Sequence, residues 1–175
     1  MKRVIIINGY GTCGKDKFVK LFARKLSLDK ELVNISTVDG VKEISKLMGW
    51  DGKSKTEKDR QLWSDVKAAM TKYNDGIFTN MINIIDESDD DFFFVHCREP
   101  KEIQKFVDYY QFADTCKSGF IECHTLLILR DGVKPPDNPS DKAVMDYNYD
   151  FTITNNGTLD DLMNKANLFY KQLTM

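Results

Sequence analysis

The passage from residue 3 to residue 26 constrains the fold more than any other part of the chain. Arg3-Val4-Ile5-Ile6-Ile7-Asn8 is a continuous β-branched run, the pattern of a strand buried on both faces. It breaks at Gly9-Tyr10-Gly11-Thr12-Cys13-Gly14-Lys15-Asp16, after which Phe18, Leu21, Phe22 and Leu26 form a helical stripe. A doubly buried strand, a glycine turn and an amphipathic helix together open a parallel α/β sheet, because parallel strands need a crossover helix between them. The remainder continues the alternation. Leu32–Val38 reads as a second strand ending at Asp39-Gly40, and Val41–Met48 as a short helix stopped by Gly49. Ser54–Tyr73 reads as a helix opening on the capping pattern Ser54-Lys55-Thr56-Glu57, with Leu62, Val66 and Met70 on one face. Ile77–Ile85 and Pro100–Phe112 are further helices, the latter with its proline in the first turn. Phe92–Val95, Thr125–Leu129 and Phe151–Thr154 are the remaining strands, and Leu159–Leu173 is a closing helix. The expectation is a three-layer α/β/α fold on a five-stranded parallel sheet. At 175 residues it forms one domain, given the usual ~100–200 residues per domain.

In such sheets ligands bind beyond the carboxyl ends of the strands. The first strand leaves its end through Gly-x4-Gly-Lys, the P-loop spacing, with Asp16 where a serine or threonine is usual. Small residues let backbone N–H groups turn inward to phosphate oxygens, and the following helix offers its positive end. Lys15 adds a full charge near the β/γ-phosphates. Gly9, Gly11, Thr12, Cys13, Gly14, Lys15, Asp16 and Lys17 are therefore the candidate contacts to a nucleotide polyphosphate, with ATP and Mg²⁺ as the implied cofactors. A carboxylate beside that site repels the nucleotide unless a cation lies between them. Asp16 is accordingly read as the Mg²⁺ ligand, directly or through water, with a general base as the other role open to it.

Other features narrow the reading by exclusion. A formal net charge of −2 argues against a dedicated nucleic-acid binder. No apolar run reaches the roughly 18 residues of a membrane span, and residues 1–15 lack a signal-peptide pattern, so a cytoplasmic location is expected. Cys13, Cys97, Cys116 and Cys123 form no Cys-x-x-Cys pair and have only His96 and His124 as imidazole partners, so thiols are expected rather than a zinc site. The acidic run Asp86–Asp91 lies at the amino end of its strand and reads as a solvated turn. Asp39, Lys42, Arg60 and Lys67 are candidates for acceptor binding, Arg60, Ser64 and Lys67 sharing one helical face or simply a solvated one. Trp50 and Trp63 read as packing residues.

Gly-Lys-Asp at the loop's end resembles the P-loop of phage-type deoxynucleoside monophosphate kinases and animal phosphomevalonate kinases, both of the nucleoside monophosphate kinase group. Asp16-Lys17 departs from the Asp-Thr or Asp-Phe common there. The exit of the third strand, His96-Cys97-Arg98-Glu99, is similar to the Asp-Thr-Arg segment of that group. The resemblance gives Arg98 the acceptor phosphate and puts His96 where a Walker-B-like carboxylate would stand. Asn155-Asn156-Gly157-Thr158-Leu159 resembles the turn that borders adenine, implying Asn156 and Gly157 as nucleotide contacts, with Gly157 able to take positive φ and Thr158 able to cap the helix. The resemblance also implies an adenylate-kinase-like architecture with an acceptor-binding helical insertion at about 40–86. A short lid is expected at about 130–146, containing Pro135, Pro136, Pro139, Lys134 and Lys142, with Arg130 stabilising the moving charge. The implied activity is phosphoryl transfer from ATP to a small phosphorylated acceptor, foremost a (deoxy)nucleoside monophosphate. Phosphomevalonate or another phosphate ester, and a nucleotide-binding regulatory module without turnover, stay open as alternatives. Absence of Asp-x-x-Gly and Asn-Lys-x-Asp speaks against a switch GTPase.

Overall fold

A computed structural model describes residues 1–26, 30–112, 120–133 and 143–175. Its strands are β1 (Lys2–Asn8), β2 (Leu32–Ser36), β3 (Phe92–His96), β4 (Ile121–Leu129) and β5 (Phe151–Thr154). Its helices are α1 (Lys15–Ala23), α2 (Asp39–Leu47), α3 (Glu57–Asn74), α4 (Gly76–Glu87), α5 (Pro100–Phe112) and α6 (Leu159–Thr174), with a short 3-10 turn at Ala143–Asp146. The strands form one five-stranded parallel sheet in the order β2-β3-β1-β4-β5. In that register Ile5 lies opposite Phe94 on one side and His124 on the other.

All seven residues of β1 are buried, as a central strand covered on both faces requires. Successive side chains point to opposite faces, so Ile5 and Ile7 serve one layer, and Val4 and Ile6 the other. On the first face Phe18 and Phe22 of α1 meet Phe92 and Phe94 of β3 and Phe169 of α6. The ring centroids of Phe22 lie 5.2 Å from Phe92, 5.0 Å from Phe94 and 5.6 Å from Tyr170, all edge-on. On the other face α5 packs along β4, with Ile103, Phe106 and Tyr110 buried. The chain leaves β1 toward β3 and β2 in its first half and returns to β4 and β5 in its second. The carboxyl end of β1 is thus the topological switch point where an open α/β sheet has its crevice.

The chain divides into two compact units, 1–34 with 89–175, and 35–88. The second unit holds α2, α3 and α4 around Val41, Val66 and Ile77, with Ile44, Leu62, Trp63 and Met70 packed against them. Trp50 and Trp63 meet edge to face at 5.0 Å, and the Trp50 indole N–H donates to the Ser54 carbonyl at 3.0 Å. Two sequence expectations are corrected here. Helix α3 is capped two residues later than Ser54-Lys55-Thr56-Glu57 suggested: Thr56 Oγ1 accepts from the Asp59 amide and Asp59 accepts from the Thr56 amide. Ser54 is unavailable because its amide and hydroxyl both donate to Asp51 Oδ1, at 2.8 and 2.9 Å. Strand β2 stops at Ser36 rather than running to Val38, and Asp39 opens α2 instead of ending a strand. The Asp39 carboxylate accepts the Ser36 amide at 2.7 Å, which turns the backbone before the helix. Among the described residues Cys13, Cys97 and Cys123 are thiols rather than disulfide halves, and no helix is long and apolar enough to cross a membrane.

Candidate functional site

The loop after β1 is shaped by backbone conformations that few side chains tolerate. Gly9 has φ +143° and Gly14 φ +104°, and Thr12 takes a left-handed φ of +64° despite its branched side chain. A Cβ on Gly9 would run into the Ile128 carbonyl oxygen and Cys13 Sγ; one on Gly14 would run into the Asn155 amide. Both glycines therefore mark places where the loop is pressed onto the ends of β4 and β5. The curl closes around one cation. Lys15 Nζ donates to the carbonyls of Gly9 at 2.5 Å and Tyr10 at 2.8 Å, with Cys13 Sγ 3.8 Å away.

Gly14 is the N-cap of α1, and the Phe18 amide makes the first helical bond, to the Gly14 carbonyl at 2.9 Å. The amides of the first turn precede that bond, and an α-helix supplies no acceptor of its own for them. First-turn amides, a helix N-terminus and an ammonium together form a receptor for a polyanion. Asp16 and Lys17 are exposed on that first turn.

Asp16 Oδ1 lies 3.8 Å from His96 Nε2, so the end of β3 does reach the first turn of α1. The imidazole is mostly covered (15% exposed) and the carboxylate is open (84% exposed). His96 Nε2 is also 2.9 Å from Asn34 Oδ1, an atom that only accepts, so the proton on that nitrogen points at Asn34. Asp16 is thus the open carboxylate beside the loop, an oxygen donor of the kind a hard divalent cation takes. One residue beyond His96, Cys97 is buried, and with Glu99 and Glu102 forms a trio whose ligand atoms lie within 4.8 Å. Its thiol donates to Glu102 at 3.6 Å, and the trio sits at the positive end of α5, which disfavours a cation.

Arg98 is exposed, but its backbone is anchored from below. Asn8, fully buried at the end of β1, donates to the Arg98 carbonyl at 3.1 Å and to the Tyr149 hydroxyl at 2.7 Å. Its own amide oxygen accepts from the Gly9 amide at 2.8 Å. The Tyr149 hydroxyl passes its proton to the Val144 carbonyl at 2.8 Å, and burial raises its pKa well above the ordinary phenol value. Sequence reading missed Asn8. Its signal was a polar residue at the end of an otherwise apolar, doubly buried run.

The β5–α6 turn is tied to the glycine loop and to the exit of β4 by its own hydrogen bonds. Asn155, not singled out from sequence, donates its side-chain amide to the Cys13 carbonyl at 2.8 Å and its backbone N–H to Leu129 O at 2.6 Å. Asn156 Oδ1 accepts the Asp131 amide at 2.8 Å, holding the residue next to Arg130. Gly157 does not use the positive φ open to it. Its lack of a side chain serves space instead, since a Cβ would meet Asp161 Oδ2 at 2.5 Å. That carboxylate is the reciprocal half of the Thr158 capping box, bonded to the Thr158 amide and hydroxyl at 2.8 Å each. Arg130 is exposed at the exit of β4, where Val133 N donates to its carbonyl at 3.4 Å. Of the expected lid, Lys134, Pro135, Pro136, Pro139 and Lys142 lie outside the described residues, as does Cys116.

The four acceptor candidates belong to the second unit. Asp39 and Lys42 face each other at 3.7 Å on α2, while Arg60 is exposed and Lys67 half-buried on α3.

No protein-family model matches the chain, and no curated protein matches it in sequence. Among solved structures, a point mutant of the APS kinase from Mycobacterium tuberculosis matches with a TM-score of 0.52 at 14% identity, covering 99% of this chain and 98% of that one. A gluconokinase from Sinorhizobium meliloti matches with a TM-score of 0.43 at 13% identity, covering 97% and 96% of the two chains. The first match extends over nearly all of both chains, and with the five-stranded parallel sheet flanked by helices it shows that this chain has the three-layer α/β/α fold of P-loop kinases.

Proposed function

We propose that the protein is an ATP- and Mg²⁺-dependent kinase that moves the γ-phosphoryl group to a small phosphorylated acceptor. A (deoxy)nucleoside monophosphate is the acceptor class its motifs favour. The observation that carries this reading is the loop of residues 9–15, curled around the Lys15 ammonium where α1 begins. In phosphoryl transfer a protein mainly positions the reactants and neutralises charge. The amides of Gly11 to Lys17 would bind the donor phosphates, and Lys15 would follow the charge that develops on them. Asp16 would hold Mg²⁺, which supplies charge neutralisation between the phosphates when bound. Arg98 would hold the acceptor phosphate, and Arg130 would meet the transferring group. Asn156 and Gly157 would border the base.

The test is ADP release from Mg-ATP in a coupled assay. The acceptor panel comprises all ribo- and deoxyribonucleoside monophosphates, phosphomevalonate and dephospho-coenzyme A. One acceptor should support turnover well above ATP hydrolysis in water. Lys15→Ala and Arg98→Ala should each lower that turnover by about 10²–10³-fold, the usual effect of removing one preorganised donor, with circular dichroism unchanged. Undiminished turnover in Lys15→Ala would refute the site. A second reading, a nucleotide-binding regulatory module, is favoured by His96 standing where a carboxylate would be and turning its proton to Asn34. Calorimetric binding of Mg-ATP with no ADP formed from any acceptor would select it.

A further inference from the structure

We propose that Asn8 is a positioning residue that sets Arg98 against the phosphate loop; this rests on the reading that Arg98 grips the acceptor phosphate. Asn8 is the last residue of β1, and its side chain is completely buried. A buried amide is costly unless its groups are bonded, and here the bonding accounts for both donors. One Nδ2 proton goes to the Arg98 carbonyl and the other to the Tyr149 hydroxyl, while Oδ1 accepts the first amide of the loop, Gly9. No other side chain of that size supplies two donors and an acceptor: aspartate lacks the donors, and leucine lacks all three groups. The loop has a second anchor, the Lys15 ammonium on the Gly9 and Tyr10 carbonyls, so loss of Asn8 bears mainly on the Arg98 segment. The donor loop begins at Gly9, bonded to Oδ1, and the acceptor arginine is carried by the carbonyl bonded to Nδ2. Arg98 lies two residues beyond the end of β3 and has a solvent-exposed side chain. Its carbonyl bond to Asn8 lets the strand end define where the guanidinium starts. Tyr149 is the counterweight: its hydroxyl accepts from Asn8 and donates to Val144, orienting the amide without touching Arg98 in this bond.

The experiment titrates two probes by calorimetry into wild type, Asn8→Ala, Asn8→Ser and Tyr149→Phe. The first probe is Mg-AMP-PNP, for the donor loop. The second is inorganic phosphate added after Mg-AMP-PNP has saturated that loop. Asn8→Ala, or Asn8→Ser where the alanine variant does not fold, should weaken phosphate at least tenfold and Mg-AMP-PNP less than threefold. Tyr149→Phe, which keeps the Asn8–Arg98 bond, should leave phosphate within threefold of wild type. Hydrogen exchange read by mass spectrometry should rise over 96–99 in the Asn8 variants and not in Tyr149→Phe. In wild-type NMR spectra the two Asn8 side-chain amide protons should exchange slowly with water. Equal loss of both probes in the Asn8 variants, a tenfold loss in Tyr149→Phe, or rapid exchange of the Asn8 amide protons would overturn the proposal. Wild type that binds Mg-AMP-PNP but no phosphate would instead sink the acceptor role of Arg98, and exchange over 96–99 would still decide whether Asn8 anchors that segment. Wild type that binds neither probe would sink the kinase reading itself.

Discussion

Gly14 and Asn155 are joined by a contact whose energy can be worked out and measured. Replacing Gly14 by alanine places a methyl at φ +104°, a conformation L-residues avoid at a cost of about 1–3 kcal/mol. The same methyl collides with the Asn155 side-chain amide and breaks its 2.8 Å bond to the Cys13 carbonyl. A typical hydrogen bond of that kind contributes about 1 kcal/mol net. Gly14→Ala should therefore cost about 2–4 kcal/mol. Asn155→Ala alone should cost about 1 kcal/mol, since it loses only the bond. In the double variant the collision is gone and the bond is already lost, so the total should be about 2–4 kcal/mol rather than the sum of the two. The expected coupling is about 1 kcal/mol, within the range seen for contacting residues. Urea unfolding followed by circular dichroism measures all four corners of the cycle. Additivity within about 0.3 kcal/mol, or a Gly14→Ala cost below about 1 kcal/mol, would refute the claim that Asn155 clamps the loop across this glycine.

Three further outcomes are expected. Phe22→Ala, which empties the ring cluster of Phe92, Phe94, Phe169 and Tyr170, should destabilise by about 3–5 kcal/mol in the same urea assay. Hydrogen bonds to the Thr158 backbone and hydroxyl hold the Asp161 carboxyl below its ordinary range, so the cap is intact at neutral pH and its contribution is lost as pH falls through that lowered value. Thr158→Ala should cost about 1 kcal/mol at neutral pH and show a shallower acid loss of stability than wild type; an unchanged acid profile would contradict the cap. Burial pushes the Cys123 thiol from 9.0 up to about 12, with Asp150 adding to it. Since the folded value is raised, stability is complete below pH 9 and falls as pH climbs from there toward 12, so Cys123→Ala should flatten the melting-temperature curve above pH 9.

Much of this architecture was legible in the linear pattern because it depends on local chemistry. β1 announced itself through consecutive positions that cannot face water, and α5 and β5 were bounded correctly from their residues alone. The loop spacing located the tight curl after β1 as well, since its positive φ values demand glycine at fixed offsets. The α3 cap was misplaced because Ser54 and Thr56 offer the same hydroxyl two residues apart. Only the claims of Asp51 and Trp50 on Ser54 decide between them.

What the chain determined by itself was the succession of elements, the layered class and the position of the glycine loop, all written in periodicity and in residues that restrict φ. Tertiary structure alone decided which distant groups share a hydrogen bond. Asn155 bonds to Cys13 across 142 positions and Asn8 to Tyr149 across 141, and no local preference encodes either pairing. The physical reason is that a strand end has no intrinsic partner. Its polar groups are satisfied by whatever the sheet order brings alongside, and here that order places the exits of β3, β4 and β5 around the exit of β1.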